Sequence, residues 1–377
     1  MYQSEILKNV NSSEWNRDLL QSNYSTFFQC AEFLLPESEN QFPIFIYIRD
    51  DNGKTKGQLG LIIRKSISGR SGTFFRKTTE LASKLGRRGS WVSGPILHSE
   101  NKKERIIIIR SIIKALEEII EKYHLTILDG YSPPQDFQID QNYLGEFTKN
   151  GYASEEFLTL ITDFENYSLD DLWGNVKKNA RNDVSKAQRK NICVKEIENK
   201  AELKNYKFLA RKWAKTKGID LTNPLEDLEK DWACIKSGMQ CLFLAYRDDI
   251  ILAGLKIGCF NKIAYTHQVL NSYLEYGGTA GPLLTWSALK WAKQKGMRIY
   301  DFSGGKAPPN KQNDKKYSEQ WDSLFAYKRK WGGKEFPYYH FIKVKNTQKY
   351  KLFRIFAKSD WIYREFKRKR HKRPKKQ

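Results

Sequence analysis

Three groups of side chains in this sequence have types and spacing suited to group-transfer chemistry. Gly277, Gly278, Thr279, Ala280 and Gly281 lead into a run where Leu284, Ala288, Trp291 and Ala292 recur at helical spacing. The first N–H groups of a helix have no partner within it, and glycine lets the backbone come close to a ligand, so this stretch reads as a phosphate-binding turn. The plainer reading is a turn that only precedes a buried helix. Asp301 ends the β-type segment that follows, Ile299-Tyr300-Asp301-Phe302, just before Ser303-Gly304-Gly305. A carboxylate there either accepts a proton from an attacking amine and orients it, or caps the glycine turn. The third group is the basic run Lys177-Lys178-Asn179-Ala180-Arg181-Asn182 with Lys186 and Arg189. On one helix face, Lys178, Arg181 and Lys186 would clamp the phosphate of an anionic acceptor or an RNA backbone; otherwise they form a solvated face. His267, beside Tyr265, is either a general base or a hydrogen-bonded core histidine.

These groups need elements to position them. Phe157–Thr162 reads as a strand, Ser168 caps a helix through LWGNVKKNARNDVSKAQRKN, and Ile192–Ile197 is a strand. Helices follow at 201–217 and 225–237. Leu242–Tyr246, Ile250–Ile257 and Lys262–Leu270 then form a meander turned by Asp248-Asp249. The first half repeats this less clearly. Ile44–Ile48 and Leu59–Ile63 form a hairpin across Asp50–Gly53, a long helix spans 101–123, and Thr126–Leu128 is a strand. Helices at 12–35 start from Ser12 or Ser13 as N-cap. Two copies of one α+β unit account for this order economically.

The 377 residues are 40% apolar, enough for two packed cores. A net charge of +23 points to an anionic partner such as nucleic acid, an acidic membrane surface or a phosphate-bearing substrate. Much of that charge sits in the last thirty-five residues or so, so it does not by itself make a nucleic-acid protein. The five cysteines are scattered with no C-x-x-C pair, which argues against a disulfide framework or zinc site and suits a reducing cytoplasm. No metal is expected. The run at 106–120 is interrupted by Arg110, Lys114, Glu117 and Glu118, too short and too charged to span a bilayer.

LLTWSALKWAKQKG, YDFSGG and FAYKRKWGG (325–333), in this order, resemble the C-terminal half of the FemAB family and its acyltransferase relatives in the GNAT superfamily. The resemblance extends to about residue 342 and is most specific at 172–192, 277–305 and 325–333. It implies an α+β chain of two tandem GNAT-like domains, at 1–155 and 156–342, each a mostly antiparallel sheet flanked by helices. A basic helical tail at 343–377 would follow. It also implies an N-acyl or aminoacyl transferase of the armless type, because 199–240 is too short for a helical-hairpin arm. The donor would be acyl-coenzyme A or aminoacyl-tRNA, with its phosphate at 277–281. The acceptor would be the amine of a cell-envelope precursor, such as a peptidoglycan peptide stem or an amino sugar on a lipid or nucleotide carrier. Lys328 matches the family lysine near the transfer site, where its ammonium stabilises negative charge on the donor; the alternative is a solvated surface lysine. Tyr300 and Trp331 flank the same motifs as substrate-side aromatics or packing residues. Tyr276-Gly277-Gly278-Thr279-Ala280-Gly281 departs from the x-x-G-x-G/A pattern of coenzyme A-dependent relatives, which is compatible with the aminoacyl-tRNA branch.

From Lys343 onward, Leu352, Ile355, Phe356, Ile362 and Phe366 mix with many Lys and Arg. This suits an amphipathic helix with a basic end that touches an acidic membrane, or one that packs on its own domain. The expected location is cytoplasmic, with peripheral contact at the inner face of the membrane. The rival to the enzyme is a non-catalytic RNA- or membrane-surface-binding protein on the same scaffold.

Overall fold

A computed structural model describes residues 2–35, 41–64, 87–134, 141–216, 225, 228–272, 277–306, 315–352, 354 and 355. The chain divides into two compact units. One is Met1–Glu156 with Pro337–Gln377, and the other is built from Phe157–Lys217 and Leu221–Phe336.

The first unit starts with β1 (Gln3–Leu7), α1 (Ser12–Leu19) and the one-turn α2 (Ala31–Leu34). Asn11, rather than Ser12 or Ser13, is the N-cap of α1, its side chain accepting from the Ser13 and Glu14 amides. Strands β2 (Gln41–Arg49), β3 (Thr55–Arg64), β4 (Arg88–Trp91) and the short β5 (Ile96–Leu97) follow. Next come α3 (Lys102–Lys122), β6 (Ile127–Tyr131) and α4 (Gln141–Lys149). The isoleucines of α3 explain why it forms and where it goes: Ile108, Ile109, Ile112, Ile113, Ile119 and Ile120 make one buried stripe against Ile44, Ile46, Leu59 and Leu61 of the sheet.

The second unit contains β7 (Ala153–Asp163, joining it at Phe157), α5 (Leu169–Asn175), α6 (Lys178–Arg189), β8 (Cys193–Glu196), α7 (Lys200–Thr216) and α8 (Leu228–Lys236). It continues with β9 (Gln240–Arg247), β10 (Ile250–Phe260), β11 (Ile263–Asn271), α9 (Gly277–Gln294), β12 (Ile299–Asp301), β13 (Gly305–Lys306) and α10 (Lys315–Lys328). Asp248 and Asp249, with φ of 48° and 62°, turn β9 into β10. The single helix expected through 172–191 is two helices. Val176 is extended between them, and the Ser168–Asp171 capping box starts α5.

The last strand, β14 (Lys334–Val344), pairs antiparallel with β6 from His340 to Val344. That pairing draws residues from 337 onward into the first unit, whereas the sequence reading ran the second domain to 342. Residues 347–352 are helical, and the rest of the expected basic tail beyond 355 lies outside the described residues.

Each unit has the same plan. The strand order is β1-β2-β3-β4-β6-β14 in the first and β7-β12-β11-β10-β9-β8 in the second. In both, an antiparallel meander ends in a strand that passes through a helix to a parallel neighbour: β4 to β6 through α3, and β11 to β12 through α9. This mixed, mostly antiparallel α+β architecture is the fold class the sequence implies. Among the described residues no helix is long and apolar enough to cross a membrane. The five cysteines are free, and only Cys193 is exposed.

Candidate active site

The site grows out of an incomplete strand pairing. β11 and β12 run parallel over three residues only, Ile263–Tyr265 against Ile299–Asp301, while β11 stays paired with β10 as far as Asn271. Beyond Asp301 the chain turns away, with the Phe302 N–H donating to the Leu160 carbonyl at 2.9 Å. The space left beside the outer half of β11 is a cavity of about 840 Å³. Thr266, Val269 and Asn271 of β11 line it, as do Thr279, Gly281, Pro282 and Thr285 of α9 and Tyr327 and Lys328 of α10. Ligands in open α/β sheets settle at such carboxyl ends of parallel strands, where a helix start faces the gap.

The glycines belong to α9 itself rather than to a turn before it, because the helix begins at Gly277. The amides of Gly277, Gly278, Thr279 and Ala280 are thus the four that have no acceptor within the helix, and the first turn carries no acidic side chain. Pro282 has no N–H to offer the Gly278 carbonyl, so the ladder opens by one further bond. Among the described residues, a Cβ added at Gly281 would meet only Asn271 Oδ1 at 3.8 Å and Tyr327 Oη at 3.9 Å. Gly281 therefore faces the cavity, and its missing side chain is part of the cavity's room. Thr285 Oγ1 donates to the Gly281 carbonyl at 3.0 Å and lies 2.9 Å from Tyr327 Oη, tying α9 to α10.

Lys328 is buried on the cavity wall, its Nζ donating to the Ser303 carbonyl. Burial lowers its ammonium to about 8, with the charge of Asp301 acting in the opposite direction. Asp301 does not line the cavity; it sits fully buried behind it, accepting from Thr159 Oγ1 and from the Ser303 N–H at 2.7 Å. Burial raises it to about 6 against the pull of those two bonds and of Lys328. Ser303 has φ of 60°, a left-handed conformation that a serine holds at a cost of about 1 kcal/mol. Its hydroxyl is bonded to the Thr266 carbonyl as well. The chain of contacts runs from Asp301 to the Ser303 backbone to Lys328, so of the two readings of Asp301 the geometry is that of a turn cap which positions the lysine.

The other expected residues are placed as follows. Lys186 lines the cavity beside Asp183 of α6. Arg181 does not; its guanidinium donates to the carbonyls of Trp173, Gly174 and Val176 at 3.3, 2.9 and 2.6 Å and closes the end of α5. Lys178 is exposed in the first turn of α6 and is not part of the lining. Tyr300 is fully buried and acts on the cavity through Thr266 Oγ1, 3.0 Å from its hydroxyl. Trp331 is buried in the core against the Tyr327 ring. His267 is not brought to the cavity. The register of β11 against β10 shifts between Ile257 and Lys256, pairing Thr266 and Gln268 with consecutive residues and leaving His267 as the extra one in a bulge. Burial, with the Lys256 charge, pushes it down to about 3, so it is a neutral imidazole at any ordinary pH. Thr266, Thr285, Tyr327 and Ser303 were not singled out from the sequence. Tyr327 sits inside the quoted 325–333 motif, whereas the roles of Thr266 and Ser303 depend on the bulge and on a backbone conformation that leave no sequence signal. Among the described residues no cluster of His, Cys, Asp or Glu is arranged to hold a metal ion.

No family model and no curated protein matches this sequence. Solved structures do match in shape. FemX superposes with a TM-score of 0.67 at 14% identity, covering 92% of this chain and 99% of its own. L-PGS from Bacillus licheniformis gives 0.52 at 11% identity, covering 93% and 98%. A tandem GNAT protein from the clavulanic acid biosynthesis pathway gives 0.50 at 11%, covering 90% and 98%. With near-complete coverage in both directions, the chain has the fold of these proteins: two GNAT-like α+β units in tandem.

Proposed function

We propose that the protein is an N-acyltransferase that joins an activated acyl or aminoacyl group to an amine of a cell-envelope precursor. The amine nitrogen attacks the donor carbonyl, a C–N bond forms, and the C–S bond of a thioester or C–O bond of an ester breaks. The proton lost from the amine leaves with the thiol or hydroxyl. Such chemistry needs orientation and stabilisation of the oxyanion more than a covalent intermediate. The chain supplies both: amides at the start of α9 for a donor phosphate, and the Lys328 ammonium for the charge that develops on the carbonyl oxygen.

The observation that carries this reading is Lys328, a buried cation held by Ser303 on the wall of the cavity that Gly281 opens. A cation is costly to bury and is retained where negative charge must be met. The FemAB resemblance and the FemX-like fold support the same class. Acyl-coenzyme A and aminoacyl-tRNA are the two donor classes proposed. Incubating the purified chain with radiolabelled acetyl-coenzyme A and, separately, with charged tRNA tests this. One of the two should protect it against thermal unfolding. No protection by either, together with an unaltered phenotype for Lys328→Met, would favour a non-catalytic binding protein.

A further inference from the structure

A second concavity of about 510 Å³ lies in the same unit, between α7, the β9–β10 turn and the end of β11. We propose that it binds an apolar amino-acid residue bearing a free carboxylate, the C-terminal end of a peptide. Phe208, Trp213 and Ile250 form its apolar walls. Phe208 and Ile250 remain 39% and 53% exposed, although a soluble unit gains by covering such side chains. The volume falls within the range of small-ligand pockets, roughly 300–1,000 Å³.

The polar groups around these walls select the ligand. Lys212, on α7 between the two aromatic residues, is the cation at the rim that a carboxylate would meet. Asn205 and Asn271 each offer both a donor and an acceptor, which matches a peptide amide. Asp249, on the turn opposite, can accept a peptide N–H. Ser272 Oγ lies on the wall, buried from solvent, with no hydrogen-bond partner among the described residues. A hydrocarbon chain would leave these groups unsatisfied, whereas a peptide end would engage them. This favours a peptide over a lipid tail.

Asn271 lines this groove and the cavity of the candidate active site alike. It lies five residues beyond Thr266 on β11, roughly 16 Å along an extended strand. The groove would therefore hold a part of the substrate distant from the reacting atoms. That this substrate is the amine acceptor rests on the transferase reading; that the groove binds a peptide carboxylate does not.

The test uses the full chain and calorimetric titration with N-acetyl-leucine, N-acetyl-leucinamide and octyl phosphate. N-acetyl-leucine should bind about tenfold more tightly than its amide, the ratio expected for one charge-assisted hydrogen bond. Lys212→Met should bring the two within about twofold, and Ile250→Asp, an exposed position, should abolish binding of both. Lys328→Met should leave N-acetyl-leucine binding unchanged even if it stops transfer, which separates failure of the groove from failure of the transferase reading. The proposal is overturned if neither leucine derivative binds, if the ratio survives Lys212→Met, or if octyl phosphate binds and N-acetyl-leucine does not.

Discussion

α3 and α9 occupy the same step in their two units, each linking the last meander strand to a parallel neighbour, yet their N-termini are built in opposite ways. The start of α3 is closed by its own chain. Asn101 accepts from the amides of Lys103 and Glu104, and the Glu104 carboxylate in the first turn accepts from Tyr2, Lys56 and Ser99. The hydrogen bond from Ser99, then those from Tyr2 and Lys56, hold Glu104 down to about 2, a carboxylate fixed in its charged form. The start of α9 carries glycines, a proline and no acid, and it borders a cavity. One helix terminus has its anion built in; the other has none in its first turn, and under the proposed function it would receive the donor phosphate.

The aspartates at the third position of β6 and β12 differ in the same sense. Burial pushes Asp129 up, but His340, at 2.9 Å, and the two-pronged Arg88 outweigh it and hold the group below 3.8. Among the described residues Asp301 has no Arg or His at hydrogen-bond distance, and burial prevails. In the first unit the carboxylate closes an ion pair within the fold. In the second, Asp301 reaches Lys328 through the Ser303 backbone, and the ammonium stays on the cavity wall. One plan thus occurs twice, with an ion pair closing this position in the first unit and a cavity bordering it in the second.

The largest effect that would sharpen this contrast is on Lys328. Lys328→Met should lower transfer by about 10²–10³, the scale for one oxyanion donor removed, while Arg88→Met should leave the rate per folded molecule near wild type. Steady-state rates on both variants decide it. Next is pH. Because burial lowers Lys328 to about 8, transfer in the wild type should decline as pH rises through 8 and the ammonium is lost. A rate profile still rising at pH 9 would show that this cation is not required.

Asp301 gives a smaller effect, read in stability. Its folded value of about 6 is above the unfolded 3.8, so its contribution to stability is present below 3.8 and lost as pH rises through 6. Urea unfolding of Asp301→Asn should lack that decline between pH 4 and 7. Smallest is the cap of α3: Asn101→Ala should cost about 1 kcal/mol in the same assay and leave the transfer rate unchanged.

Much of this fold could be read from the sequence. The isoleucine stripe of 106–120, the alternating strands, the Asp248-Asp249 turn and the repetition of one unit all follow from periodicity and turn chemistry, which are local. The candidate site was legible where it rested on local motifs: Gly281 and Lys328 line one cavity, and Asp301 reaches Lys328 through Ser303. It was not legible where long-range geometry decides. A one-residue bulge removes His267 from the cavity and sets Thr266 on its wall. A break at Val176 turns Arg181 back on the carbonyls of α5. Charge and spacing on a helix do not reveal that such a residue is already satisfied by its neighbours.

The most direct test is equilibrium binding of the donor to Gly281→Leu. Among the described residues a Cβ at this position meets Asn271 and Tyr327 side-chain atoms at 3.8 and 3.9 Å and no backbone, and a leucine should extend from there into the cavity that Gly281 lines. Affinity for the protecting donor should fall at least tenfold in Gly281→Leu, with little change in thermal stability, and remain as in the wild type in Asn101→Ala. Undiminished binding to Gly281→Leu would contradict the assignment of the open end of α9 as the donor site.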